Sequence, residues 1–331
     1  MLADPAGTFM AQQFKPKLGI ALGSGSARGL AHIGVLRQLG RLGIRPDIIC
    51  GSSAGSLVGA VSVLGRADEL SAWIQQLSRT DILRFMDIKL AASGGFAKGD
   101  NLIDHLKRSF GNPLIEELGT GFAAVATDLS TGREIWLQSG PIWDAVRASM
   151  AFPGLFTPVA LRHHWLVDGG LVNPVPVSIC RAMGADITIA VNLNGNIVGR
   201  ATQINEAPAK QPRSGPVETR AAEDPDFLNR LSNNIMGKAQ PLLDHWRNRE
   251  KDDVPAIFDV LAGSVNIMQD RITRSRLAGE PADVVLSPRL RDVGLMEFSR
   301  TAECIEEGEA CVRRQQNEIL DVIGSAGLGG D

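Results

Sequence analysis

The chain has 331 residues, 44% apolar and 21% charged, with a formal net charge of −3. This is enough for one large α/β domain or two average ones, and the balance is that of a soluble globular protein with no basic footprint for nucleic acid. No uninterrupted apolar run approaches the roughly 18 residues that span a bilayer, and Met1-Leu2-Ala3-Asp4-Pro5 has no basic segment leading into an apolar core. The expectation is a cytoplasmic protein, with peripheral contact at the inner membrane face left open. Cys50, Cys180, Cys304 and Cys311 form no Cys-x-x-Cys and no Cys/His cluster. They read as reduced structural thiols, with no metal and no cofactor expected.

Residues 1–16 are polar and aperiodic and read as a loose tail. Leu18 to Leu22 is an apolar run short enough for a buried parallel strand. It feeds Gly23-Ser24-Gly25-Ser26-Ala27-Arg28-Gly29, after which Leu30, Ile33, Leu36 and Leu39 recur at helical spacing. Strand, glycine-rich loop and helix open a doubly wound sheet. Three readings stand for the loop. It can be a dinucleotide fingerprint, although the spacing is Gly-x-Gly-x-x-x-Gly and the acid Asp47 precedes the second strand instead of ending it. It can be an oxyanion hole, because adjacent parallel strands would bring its amides beside the next βα joint. It can also be a tight turn without chemistry.

That next joint follows Ile48-Ile49: Cys50-Gly51-Ser52-Ser53-Ala54-Gly55-Ser56, leading into an apolar helix to Gly65. Gly-x-Ser-x-Gly between a strand and a helix is the pattern of a nucleophile elbow, with Ser53 at its apex. Glycines at −2 and +2 relieve the crowding of so tight a turn, and the helix N-terminus favours negative charge at the hydroxyl.

Further on, residues 66–120 read as helices broken at Gly94-Gly95 and Gly111-Asn112-Pro113. A strand over Phe122 to Ala126 turns through Ser130-Thr131-Gly132 into Glu134 to Leu137 as a hairpin. A helix over 142–150 stops at Ala151-Phe152-Pro153-Gly154. Leu161 to Val167 reads as one strand, which puts His163 and His164 on opposite faces and ends at Asp168-Gly169-Gly170. A carboxylate there stands where sheets of this class place their sites, and Asp-Gly is equally a common turn. Asn173-Pro174-Val175-Pro176 leads into a helix through Met183, and Asp186 to Leu193 is another strand. Residues 199–250 begin Pro-rich and polar and read as a flexible insertion, with helical spacing from 228 to 248. Helical spacing over 254–278, a strand over Asp283 to Leu286 and one long helix over 297–323 complete the pattern.

Gly23 to Gly29, Gly51-Ser52-Ser53-Ala54-Gly55, Ala151-Phe152-Pro153 and Asp168-Gly169-Gly170 together resemble the patatin-like phospholipases. Ala31-His32-Ile33-Gly34-Val35-Leu36 and Asn173 to Pro176 resemble the bacterial branch related to the neuropathy target esterase catalytic domain. The likeness is strong over 17–195 and looser over 281–314. It implies a patatin-like three-layer α/β/α sandwich with a mostly parallel central sheet, one catalytic domain over 17–331, and a serine lipid acyl hydrolase acting on phospholipid or lysophospholipid esters. Carried over residue by residue, Ser53 is the nucleophile, Asp168 the base, and the Gly25 and Ser26 amides the oxyanion hole, with Arg28 near the developing charge. This chain departs from the family's glycine run at Ser24 and Ser26, so the hole requires those residues to avoid positive φ. The alternatives kept open are a Ser-Asp-His triad through His245, a non-catalytic lipid-binding module, and a passive or lid-like role for the insertion. The sequence leaves the oligomeric state open.

Overall fold

The computed structural model describes residues 16–78, 80–81, 85, 99–195 and 257–327. The N-terminal tail up to residue 15, the Gly94-Gly95 break and the whole 199–250 insertion with His245 lie outside the described residues. The chain divides into a unit formed by Met1–Ala201 with Leu261–Asp331 and a second formed by Thr202–Val260; the described residues other than 257–260 belong to the first.

Strand β1 (Leu18–Leu22) leads through a 3-10 turn into α1 (Ala31–Arg41), and β2 (Ile48–Ser52) leads into α2 (Ala54–Val63). Helices α3 (Ala67–Gln76) and α4 (Asp100–Phe110) precede the hairpin β3 (Gly121–Asp128) and β4 (Glu134–Leu137). Then follow α5 (Ile142–Ser149), β5 (Val159–Leu161), β6 (His164–Asp168), α6 (Val177–Ala182) and β7 (Ile187–Val191). After the insertion come α7 (Ile257–Gly279), β8 (Val284–Leu286), α8 (Thr301–Arg314) and α9 (Gln316–Ser325).

The eight strands form one sheet. β8, β7, β1, β2 and β3 run parallel, while β4 and β6 are antiparallel to β3. Alternation along each parallel strand divides the core between two faces. Leu18, Ile20 and Leu22 join the larger cluster with Ile49, Phe122, Ile189 and helices α1, α2 and α5. Ala21, Cys50, Ala123, Val125 and Ala190 face Val177, Ile179 and Cys180 on the other side. Small residues there let α6 lie close: a Cβ on Gly19 would stand 2.9 Å from the Cys180 Cβ. Across the larger face α1 and α8 touch backbone to backbone, since a Cβ on Gly34 would fall on the Ile305 carbonyl and one on Gly308 on the Ala31 carbonyl.

The ladders fix where the site forms. β4 takes Ala124 to Thr127 of β3, β2 takes Gly121 to Val125, and β6 takes Ala126 to Asp128. β4 overlaps both others in register, so β2 and β6 must share the opposite edge of β3. They run toward each other along it, and the end of β2 at Ser52 meets the end of β6 at Asp168.

Two expectations are corrected. Leu161 to Val167 is a hairpin and not one strand: Arg162 and His163 turn it with φ of 47° and 68°, and Leu161 pairs with His164. His163 therefore sits in the turn, and two consecutive positive φ values match the turn type that suits strand twist. The long helix over 297–323 is two, broken at Gln315 (φ −111°, ψ 15°), whose Nε2 donates to the Val285 carbonyl at 3.2 Å. The four cysteines are free and buried, Cys304 and Cys311 on the inner side of α8.

Candidate active site

Ser53 stands between β2 and α2 with φ 55° and ψ −123°, a conformation costing an L residue about 1–3 kcal/mol and held only by its surroundings. Its N–H donates to Ser149 Oγ of α5 at 2.9 Å, and its carbonyl accepts from the Ser56 amide at 2.9 Å and the Ser56 hydroxyl at 2.6 Å. The glycines work as the spacing implied. A Cβ on Gly51 would land on the backbone of Gly55 and Ser56, and one on Gly55 on the Leu22 carbonyl. Gly29 does the same for the neighbouring loop, where a Cβ would strike the Cβ of Ala54.

Ser53 Oγ lies 2.6 Å from Asp168 Oδ2. The other oxygen, Oδ1, accepts the Gly170 amide at 2.7 Å. The Asp168 backbone is clamped on both sides, its N–H donating to the Ala151 carbonyl at 3.0 Å and its carbonyl accepting from Thr127 Oγ1 at 2.7 Å. Ala151 of the Ala-Phe-Pro segment thus contributes a carbonyl. Gly169 is required because a Cβ would collide with the Val125 carbonyl. Asp168 is fully buried. Burial raises its pKa to about 6, against the opposing pull of the Ser53 hydroxyl and the Gly170 amide.

In the glycine-rich loop, Gly23 N–H donates to Val191 at 3.0 Å, Ser24 N–H to Pro174 at 2.8 Å, Ala27 N–H to Leu295 at 3.0 Å and Arg28 N–H to Gly25 at 3.2 Å. Among the described residues the Gly25 and Ser26 amides have no acceptor. Positive φ does not remove this donor, because the Ser26 amide stays without an acceptor among the described residues although Ser26, against the expectation, adopts φ 51°. The Leu295 carbonyl accounts for this φ, since it accepts both Ser26 Oγ at 2.6 Å and the Ala27 amide. Arg28 is 2% exposed. Its Nη2 donates to Asn266 Oδ1 at 3.0 Å and its Nε to the Gly25 carbonyl at 3.4 Å; burial lowers its pKa to about 10, with an opposing contribution from Cys304.

His32 is fully buried and faces the loop, its Nε2 2.8 Å from the Gly23 carbonyl. A carbonyl can only accept, so Nε2 carries the proton, and burial lowers the pKa to about 4 and keeps the ring neutral. His164 Nδ1 pairs with Asp128 Oδ2 at 2.9 Å. Among the described residues no histidine is hydrogen-bonded to the Ser53 hydroxyl or the Asp168 carboxylate.

Several site residues carry no motif. Ser149 takes the elbow amide, Thr127 the Asp168 carbonyl, and Asn266 and Gln269 of α7 hold the loop. Gln269 is 5% exposed, and its Oε1 accepts from both Ser24 Oγ and Asn194 Nδ2 at 3.0 Å. A Cβ on Gly170 would lie 2.5 Å from Gln269 Nε2 and 3.0 Å from Asp168 Oδ1, so α7 reaches the neighbourhood of the carboxylate itself. The only signal in the sequence is two amides three apart on a helix.

Fold and site together define a three-layer α/β/α protein in which a Gly-x-Ser-x-Gly turn between strand and helix faces a strand-terminal aspartate. The family pattern described as patatin-like phospholipase matches residues 20–181. An NTE family protein of Mycobacterium tuberculosis is 32% identical over 335 residues, covering 92% of this chain and 93% of that one. A lysophospholipase of Aspergillus fumigatus is 32% identical over 196 residues, 56% of this chain and 12% of the fungal one. The crystal structure of VipD from Legionella pneumophila aligns at a TM-score of 0.50 and 13% identity over 92% of this chain and 67% of that one, a likeness of fold. The chain belongs to the patatin-like phospholipases, in the group related to NTE.

Proposed function

We propose that the protein is a serine lipid acyl hydrolase that cleaves carboxylic esters of phospholipids or lysophospholipids through a Ser53–Asp168 dyad. The observation that carries this reading is the 2.6 Å contact between Ser53 Oγ and Asp168 Oδ2 on a strained elbow. Asp168 takes the hydroxyl proton as Ser53 Oγ attacks the ester carbonyl, and its raised pKa suits a base better than an ordinary aspartate. The unengaged Gly25 and Ser26 amides and the N-terminus of α2 receive the oxyanion, each such donor lowering the barrier by about 3 kcal/mol. Arg28 keeps a positive charge behind the loop and braces it through Gly25 and Asn266. Collapse of the tetrahedral species expels the alcohol, which leaves with the proton held by Asp168. Water then attacks the acyl-serine, with Asp168 accepting its proton and returning it to Ser53.

The family supplies the lipid class of substrate, and a lysophospholipase stands among the relatives. The test is turnover of phospholipid, lysophospholipid and short soluble esters by variants. Ser53→Ala and Asp168→Asn should each lower kcat by several orders of magnitude, while His245→Ala leaves it within about threefold. A folded His245→Ala variant as inactive as Ser53→Ala would replace the dyad with a Ser-Asp-His triad.

A further inference from the structure

Beyond Asp168 the β3 and β6 ladder continues one residue past its last strand pair, with Leu129 N–H donating to the Trp165 carbonyl at 2.8 Å. Leu129 and Trp165 are cross-strand neighbours there, and on the other side Trp165 pairs with the exposed Ala160 of β5. Two residues back on the same face, Thr127 and Val167 are 5% and 3% exposed, whereas Leu129 and Trp165 are each 58% exposed. The row of side chains that forms core below thus leaves the protein within two residues. Trp165 stands three residues from Asp168 along β6, about 10 Å at the rise of a strand.

The two turns at this edge, Leu129-Ser130-Thr131-Gly132-Arg133 and Ala160-Leu161-Arg162-His163-His164-Trp165, contain two arginines, two histidines and no acid. Arg133, Arg162, His163 and His164 are all exposed. Of the nearby acids, Asp128 is 2% exposed and its carboxylate is taken by Ser130 and His164. Glu134 is paired with Arg276, and Glu116 lies near Arg162, which also donates to Ser139. An exposed indole and leucine ringed by basic groups suit the boundary between acyl chains and anionic headgroups, where an amphipathic ring keeps one side wet and arginine meets phosphate.

We propose that these two turns dock the protein on an anionic phospholipid bilayer, with Leu129 and Trp165 entering the headgroup boundary and Arg133 and Arg162 meeting lipid phosphates. The inference takes its purpose from the lipid hydrolase reading, but docking needs no turnover, so the two can fail separately. It brings the C-terminal end of β3, beside which Ser53 and Asp168 meet, to the lipid surface.

The experiment uses the full chain as Ser53→Ala, so that vesicles are not consumed, with sedimentation on phosphatidylcholine vesicles with and without half phosphatidylglycerol. Binding is expected to the anionic vesicles and to weaken with salt. Adding Leu129→Ser and Trp165→Ser should weaken it at least tenfold, and Arg133→Gln with Arg162→Gln should remove the preference for anionic vesicles. With Ser53 restored, the Leu129→Ser/Trp165→Ser variant should hydrolyse a short soluble ester within twofold of wild type while vesicle hydrolysis falls with binding. Trp165→Phe, which keeps an aromatic ring, should still bind but lose the fluorescence quenching that brominated lipids cause in the parent. Anionic vesicles left unbound, unchanged binding by the serine pair, or full quenching in Trp165→Phe would each overturn the proposal. So would a concentration-dependent dimer that the serine pair abolishes, which would make a second copy the occupant. Failure of ester hydrolysis with vesicle binding intact would instead count against the hydrolase reading alone.

Discussion

Asp168→Asn should make the protein more stable at neutral pH while it abolishes turnover. Asp168 is fully buried and titrates at about 6 when folded against 3.8 for the free side chain. The folded state therefore binds the proton more tightly than the unfolded state, and the stability this confers is fully present below pH 3.8. It is lost as pH rises through 6. The difference of about 2 pKa units amounts to about 3 kcal/mol at pH 7 and above. Asparagine keeps the shape and a carbonyl oxygen for the Gly170 amide but carries no charge, so it escapes that loss. Urea unfolding of wild type and Asp168→Asn between pH 4 and pH 8 should give curves that converge near pH 4 and separate by about 3 kcal/mol at pH 8. The same ionisation should set the acid limb of kcat/KM, with activity rising through about pH 6 because the base must be deprotonated to act. A stability difference that does not change with pH, or that favours wild type more as pH rises, would refute the reasoning.

Ser149→Ala leaves the Ser53 amide without its acceptor and frees a strained backbone, and should cost about 1–3 kcal/mol in unfolding experiments while kcat falls more than KM changes. Gln269→Ala strips a shared acceptor from Ser24 and Asn194 and should destabilise the fold by about 2 kcal/mol. Gln269→Glu keeps the acceptor but sets a second negative charge near Asp168, so it should move the acid limb of kcat/KM to higher pH. Gly308→Ala forces a Cβ onto the Ala31 carbonyl and should lower unfolding free energy by about 1–3 kcal/mol through overpacking between α1 and α8, with kcat/KM little changed.

What the sequence discloses here depends on where each contact is encoded. Ser53 is legible because its strain is written into neighbouring glycines, and Asp168 because an apolar strand ends on it before two more. The parallel strands are legible as short runs with no polar interruption, such as Leu18 to Leu22. The β5–β6 turn is not legible, because Arg162 and His163 adopt positive φ without the Asn or Gly that would announce it. Nor is the break at Gln315, since apolar spacing runs through it from Val312 to Ile319 and nothing in that run announces that Gln315 will reach the Val285 carbonyl. Ser149, Thr127, Asn266 and Gln269 reach the site through tertiary packing from helices and strands with their own reasons to exist. Even the Ala-Phe-Pro segment, visible as a motif, gives no sign that a carbonyl of Ala151 is what holds Asp168.

The central claim is that Ser53 is a nucleophile activated by Asp168, and reaction with a fluorophosphonate tests it most directly. Intact mass and peptide mapping after labelling at pH 8 should show one adduct, on Ser53, absent from Ser53→Ala and formed far more slowly in Asp168→Asn. A folded wild-type sample that stays unlabelled, or carries its adduct on another serine, would contradict the account.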